Sequence, residues 1–120
     1  MQIIEKLAMF HMAVTNMDNM KEFYEQTLGF TVTNDKAYGD KRWVSLEFPG
    51  GGTSINLTTE HENLKPGTMK LYLSSSDVEA AYKAVTAKGV KPAKELASGW
   101  GKWNGTSDGG KWFELADPDS

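Results

Sequence analysis

The sequence predicts an α+β domain of two strand–helix–three-strand (βαβββ) modules. Three observations carry this. Arg42-Trp43-Val44-Ser45-Leu46-Glu47-Phe48-Pro49 returns near the C-terminus as Lys111-Trp112-Phe113-Glu114-Leu115-Ala116-Asp117-Pro118, with basic, Trp, apolar, polar, Leu and Pro positions in register. Each copy follows a strand-like segment and an amphipathic helix, closed by Leu28-Gly29 in the first and Lys88-Gly89 in the second. The strand segments alternate apolar and polar residues with a period of two. The 120 residues are expected to form one domain, with modules at 1–59 and 68–120. The second module is read as lacking its last strand.

The elements follow in order. Residues 8–15 alternate Met9, His11, Ala13 and Thr15 against Phe10, Met12 and Val14, as a strand with two unlike faces does. Asp18 is placed to cap a helix carrying Met20, Phe23, Tyr24 and Leu28, which Gly29 ends. Phe30–Asn34 reads as a strand, 36–41 as a turn and Arg42–Phe48 as a strand. Pro49-Gly50-Gly51-Gly52 then turns the chain into Thr53–Thr58. A polar linker, 60–67, leads to the second module, with a strand at Met69–Ser74. Ser76-Asp77-Val78-Glu79 reads as a capping box for a helix that buries Val78, Ala81, Tyr82 and Val85. Strands at Val90–Leu96 and Lys111–Ala116 complete the pattern. The segment between them, 97–110, is glycine-rich yet holds Trp100 and Trp103.

Composition narrows the function. Cysteine is absent, so disulfides and thiolate metal sites are excluded. A net charge of −3 with both signs interspersed leaves no basic patch for nucleic acid. No apolar run approaches the roughly 20 residues of a membrane span, and no charged leader precedes a hydrophobic stretch. A cytoplasmic protein with no membrane partner is the expectation.

Several short motifs fall in order along the whole chain: His11-x6-Asp18, Phe23-Tyr24 with Leu28-Gly29-Phe30, Asp77-Val78 through Gly89, and Asp117-Pro118-Asp119. Together they resemble the vicinal oxygen chelate superfamily, which includes glyoxalase I, bleomycin and fosfomycin resistance proteins and extradiol dioxygenases. The resemblance implies a cup formed by the two modules with a ligand between them. It also implies a divalent metal, when present, held by His, Glu, His and Glu on the first and last strands of each module. Those positions are here His11, Asn56 and Lys70, with the fourth beyond Ser120. Only His11 matches. A lysine ammonium repels a cation, and an amide oxygen is a poor substitute for a carboxylate. No metal cofactor is therefore expected. Glu47, on the same strand face as Ser45, could assist His11 in holding a metal weakly.

Alternation assigns Phe10, Met12, Val14, Val44, Leu46, Phe48, Leu71, Leu73, Phe113 and Leu115 to the helix-covered face. The cup face then carries Met9, His11, Ala13, Trp43, Ser45, Glu47, Ser54, Asn56, Lys70, Tyr72, Trp112 and Glu114. An aromatic wall with a few polar groups suits a small-molecule site. The expected ligand is a small aromatic molecule stacked between Trp43 and Trp112, near Tyr72, Ser45, Asn56 and Glu114, with Trp100 and Trp103 closing over it. The plain alternative is that these tryptophans fill a core. Two further readings compete with a metal-free, drug-sequestering binder. One is a metal-dependent lyase, isomerase, dioxygenase or thiol transferase of the glyoxalase type. The other is a metal-free enzyme with His11 as base, supported by Lys70 or Glu47. The open sheet edge points to a homodimer.

Overall fold

The computed structural model describes residues 3–39, 41–59, 63–98 and 111–119. These fall into two compact units, one comprising 1–69 with 117–120 and the other 70–116. The architecture is α+β.

In the first unit, strand β1 (Met9–Ala13) leads to helix α1 (Met17–Glu22), which continues as a π-helical turn over Phe23–Thr27. Strands β2 (Thr31–Tyr38), β3 (Lys41–Glu47) and β4 (Ser54–Thr58) follow. The sheet order is β1-β4-β3-β2, with β1 parallel to β4 and the other pairs antiparallel. The last strand of the module thus returns beside the first, which makes the sheet mixed. Val44 lies opposite Leu57 and Leu46 opposite Ile55. All four are fully buried, and Met12 and Val14 join them. A run of rings, Phe10–Phe48–Phe30–Tyr24–Phe23, extends this core at centroid separations of 4.6–6.5 Å. The expected apolar face of the first module is the one the helix covers.

Local chemistry moves several boundaries. The helix cap is Asn16, whose side chain accepts from the Asn19 amide at 2.9 Å, and not Asp18. Starting two residues earlier buries Met17 beside Met20. Asp18 instead pairs with Arg42, which also grips Asp35 through Nε and a second nitrogen, each at 2.8 Å. Lys21 adds a third contact to Asp35 at 2.8 Å. The segment 36–41, expected as a turn, is mostly strand: β2 and β3 pair out to Tyr38 and Lys41 around Gly39, where φ is +62°. A bulge at Thr33 shifts the register of β2 against β3.

The C-terminal Asp-Pro-Asp segment belongs to this unit. The Asp119 carboxylate accepts from both the amide and the hydroxyl of Thr15. The Tyr24 hydroxyl donates to Asp117 Oδ2 at 3.1 Å, while Asp117 Oδ1 accepts from the Asp119 amide at 3.0 Å. Burial of the phenol and the adjacent Asp117 charge push the Tyr24 pKa well above its ordinary value. Gly67 completes the clasp. Its φ is +77°, and a Cβ there would strike the Asp119 carbonyl oxygen.

The second unit holds helix α2 (Val78–Ala87) and strands β5 (Lys94–Ala97) and β6 (Trp112–Glu114), the strands paired antiparallel. The helix cap is Asp77, accepting from the Ala80 amide at 3.0 Å, one residue later than the expected Ser76. At the other end Gly89 (φ +85°) donates to Thr86 and Val90 donates to Val85, a Schellman closure as the Lys-Gly pair requires. Val85 is buried, and Tyr82 meets Phe113 edge to face at 5.2 Å. Residues 69–74, expected as a strand, have no strand structure, and Leu73, expected under a helix, is 45 % exposed. Alternation alone does not make a strand; among the described residues no strand lies hydrogen-bonded beside this segment in either sheet. Strand β5 begins at Lys94 rather than Val90, and β6 spans only the centre of the expected 111–116. No helix among the described residues is long and apolar enough to cross a membrane.

Candidate functional site

The parallel pairing of β1 with β4 places His11 beside Asn56, and the antiparallel pairing of β4 with β3 places Asn56 beside Ser45. Three polar cup-face positions therefore form one row across the sheet, on the face opposite Val44, Leu46, Ile55 and Leu57. Trp43 and Met9 extend the row on the flanking strands. The Trp43 indole N–H donates to Ser45 Oγ at 3.0 Å, and the Ser45 hydroxyl donates to Asn56 Oδ1 at 2.6 Å. Asn56 Nδ2 donates in turn to the thioether sulfur of Met9 at 3.6 Å. The His11 ring meets the Trp43 indole at 5.6 Å and 83°, edge to face. His11 is exposed and Trp43 half-buried, whereas Asn56 is 1 % exposed.

Hydrogen-bond direction fixes the amide. The Ser45 hydroxyl has one proton, and its oxygen already accepts from Trp43. That proton must go to an acceptor, which is Asn56 Oδ1. The Asn56 amino group is thereby turned toward Met9.

A cavity of about 320 Å³ opens beside β1, the edge strand of the sheet. Its wall includes His11, Ala13 and Met20, together with Leu64 and Lys65 of the linker and Thr68 just after it. Ala8 and Val14 bond to β4 through Ser54 and Thr58, so the alternate residues Met9, His11 and Ala13 direct their main-chain groups away from β4. The Thr15 amide, next in that series, meets the Asp119 carboxylate.

The donor set at the implied metal positions does not suit a catalytic divalent cation. His11 supplies one imidazole, and the Asn56 oxygen is committed to Ser45. Among the described residues no three His, Cys, Asp or Glu side chains gather where an ion could sit. Glu47 is half-buried on the same strand face as Ser45, opposite Ser54. Lys70 lies in the second unit and is exposed.

Of the other expected site residues, Tyr72 is 67 % exposed, outside any strand. Trp112 lies on β6 with the Lys94 ammonium 5.3 Å from its ring centre, and Glu114 ends that strand, exposed. Trp100 and Trp103 lie outside the described residues. Sequence reasoning placed Met9 on the correct face but assigned it no role. It also treated 60–67 only as a linker, although Leu64 and Lys65 line the cavity. No periodicity marks a loop residue that packs beside a strand edge.

A mixed four-stranded sheet with a polar, Trp-bearing row on one face defines a βαβββ architecture. The chain belongs to the Glyoxalase/Bleomycin resistance protein/Dioxygenase superfamily, which it matches over residues 6–119. Among solved structures it is similar to TnmS3, an antibiotic binding protein from Streptomyces sp. CB03234. The two share 26 % identity over 99 % of this chain and 92 % of that one, with a TM-score of 0.76. A glyoxalase/bleomycin resistance protein from the same Streptomyces strain is 26 % identical over 95 % of this chain and 93 % of that one, at a TM-score of 0.73. A superfamily member from Sphaerobacter thermophilus DSM 20745 is 27 % identical over 98 % and 92 %, at 0.72. No curated protein matches the chain.

Proposed function

We propose that this protein is a metal-free binder of a small, flat aromatic molecule, of the drug-sequestering kind, and that Trp43 is the stacking surface. The observation that carries the reading is the Trp43–Ser45–Asn56–Met9 chain, which fixes an indole and orients a buried amide on one face of the sheet. An aromatic plate beside a few fixed polar groups is what a small-molecule site requires. The donor chemistry at His11 and Asn56 supports the absence of a metal, and the antibiotic-binding relative supports the ligand class. A cytoplasmic homodimer is part of the same proposal, motivated by the outward-facing main chain of β1.

The test is a titration of purified protein with planar aromatic compounds, followed by tryptophan fluorescence, alongside metal analysis. Quenching that Trp43→Ala weakens supports the binder. Stoichiometric divalent metal with turnover of a bound compound replaces it with the glyoxalase-type enzyme.

A further inference from the structure

Asn56 is a buried polar group whose two ends are unequally satisfied. It is 1 % exposed, its oxygen is well satisfied at 2.6 Å, and its amino group is directed at a thioether 3.6 Å away. Sulfur in a thioether is a weak acceptor, and buried amide N–H groups are nearly always paired with oxygen. Two strong donors are thus fixed in a buried position, held there by a relay that starts at the Trp43 indole, and among the described residues they are met only by a weak, replaceable partner. Met9 can give way. It sits on the edge strand and is 45 % exposed.

We infer that Asn56 anchors the ligand: its amino group receives a neutral carbonyl-type oxygen of the aromatic molecule, in the place that Met9 sulfur takes in the free protein. The inference rests on the proposed aromatic-binding function and adds the ligand's polar chemistry to it. A hydrogen-bond donor on the ligand would face the Asn56 N–H groups and be rejected. An anionic oxygen would lose its hydration on burial there, which is costly, and the Glu47 carboxylate stands on the same strand face as Ser45. A neutral oxygen in conjugation with the ring system fits both Asn56 and Trp43. The Met9 thioether covers the donors when the site is empty.

The experiment uses two probes, fluorene-2-carboxylate and 9-oxofluorene-2-carboxylate, which differ by one ring carbonyl and are titrated calorimetrically. The oxo probe is expected to bind about ten-fold more tightly, as a hydrogen bond to an otherwise poorly paired donor gives. Asn56→Asp keeps the shape and the acceptor for Ser45 but has no N–H, and should abolish the preference. Met9→Leu removes the competing sulfur and should strengthen the oxo probe several-fold relative to the fluorene probe. In the wild-type protein the side-chain amide resonances of Asn56 should shift with the oxo probe and not with its partner. That readout stands even if Asn56→Asp fails to fold. Equal affinity for the two probes, with tryptophan quenched and the Asn56 amide unmoved, overturns the anchor while leaving the aromatic site intact. Failure of both probes to bind at millimolar concentration overturns the aromatic site and the anchor with it.

Discussion

Replacing Tyr24 by Phe tests the joint between the first helix and the C-terminal segment. Tyr24 is 4 % exposed, and its hydroxyl donates to the Asp117 carboxylate at 3.1 Å. The ring itself packs between Phe23 and Phe30, so Phe keeps the packing and deletes only the hydrogen bond. A bond to a charged acceptor contributes about 1.5–3 kcal/mol. Asp117 retains the Asp119 amide, so the lower end of that range is expected. For a domain of this size that is a fall in melting temperature of roughly 4–8 °C. The pH dependence carries a second signature. Burial and then the Asp117 charge raise the Tyr24 pKa in the folded state, so the folded protein holds the phenol proton more tightly than the unfolded chain does. The stabilisation is complete below the unfolded value of about 10 and is lost as pH rises above it, at up to about 1.4 kcal/mol per pH unit. Thermal or urea melts between pH 8 and about 11 should therefore show the wild type and Tyr24→Phe converging at the alkaline end. Parallel curves across that range would refute the buried Tyr24–Asp117 contact.

The other predictions concern charge, backbone and metal. Contacts with Arg42 first and Lys21 second hold the Asp35 carboxyl well below the usual range, so its stabilisation is present above about pH 4 and is lost as pH falls. Asp35→Asn should flatten acid unfolding below pH 4, and the effect should shrink in high salt because the cluster is partly solvated. Gly67→Ala should lower stability by more than about 1 kcal/mol, from left-handed strain and the clash with the Asp119 carbonyl, as measured by urea unfolding. Dialysis against chelator should leave no stoichiometric zinc, nickel, iron or manganese and should not change the binding of an aromatic probe.

The first module was legible because burial and period agree there. Val44, Leu46, Ile55 and Leu57 alternate with Ser45 and Asn56, and a one-residue slip would turn the apolar set to the opposite face. Helix ends were less so: Asn16, Asp18, Ser76 and Asp77 are all competent caps, and burial of Met17 decides the first case. The π-helical turn that sets the position of Tyr24 has no residue signature. The clasp of Asp117 and Asp119 joins residues about a hundred positions apart, which local pattern does not encode. Within the site, strand alternation placed His11, Trp43, Ser45 and Asn56 on one face, but the direction of the hydrogen bonds among them, and hence the exposed need of Asn56, emerges only from three-dimensional register.

The central claim is most directly tested by a crystal structure of the protein with 9-oxofluorene-2-carboxylate bound. The account predicts the ring plane stacked on the Trp43 indole, the ring carbonyl within hydrogen-bonding distance of Asn56 Nδ2, and Met9 turned aside. A probe bound through a divalent ion at His11, or a Trp43 face closed by protein with the probe elsewhere, would contradict it.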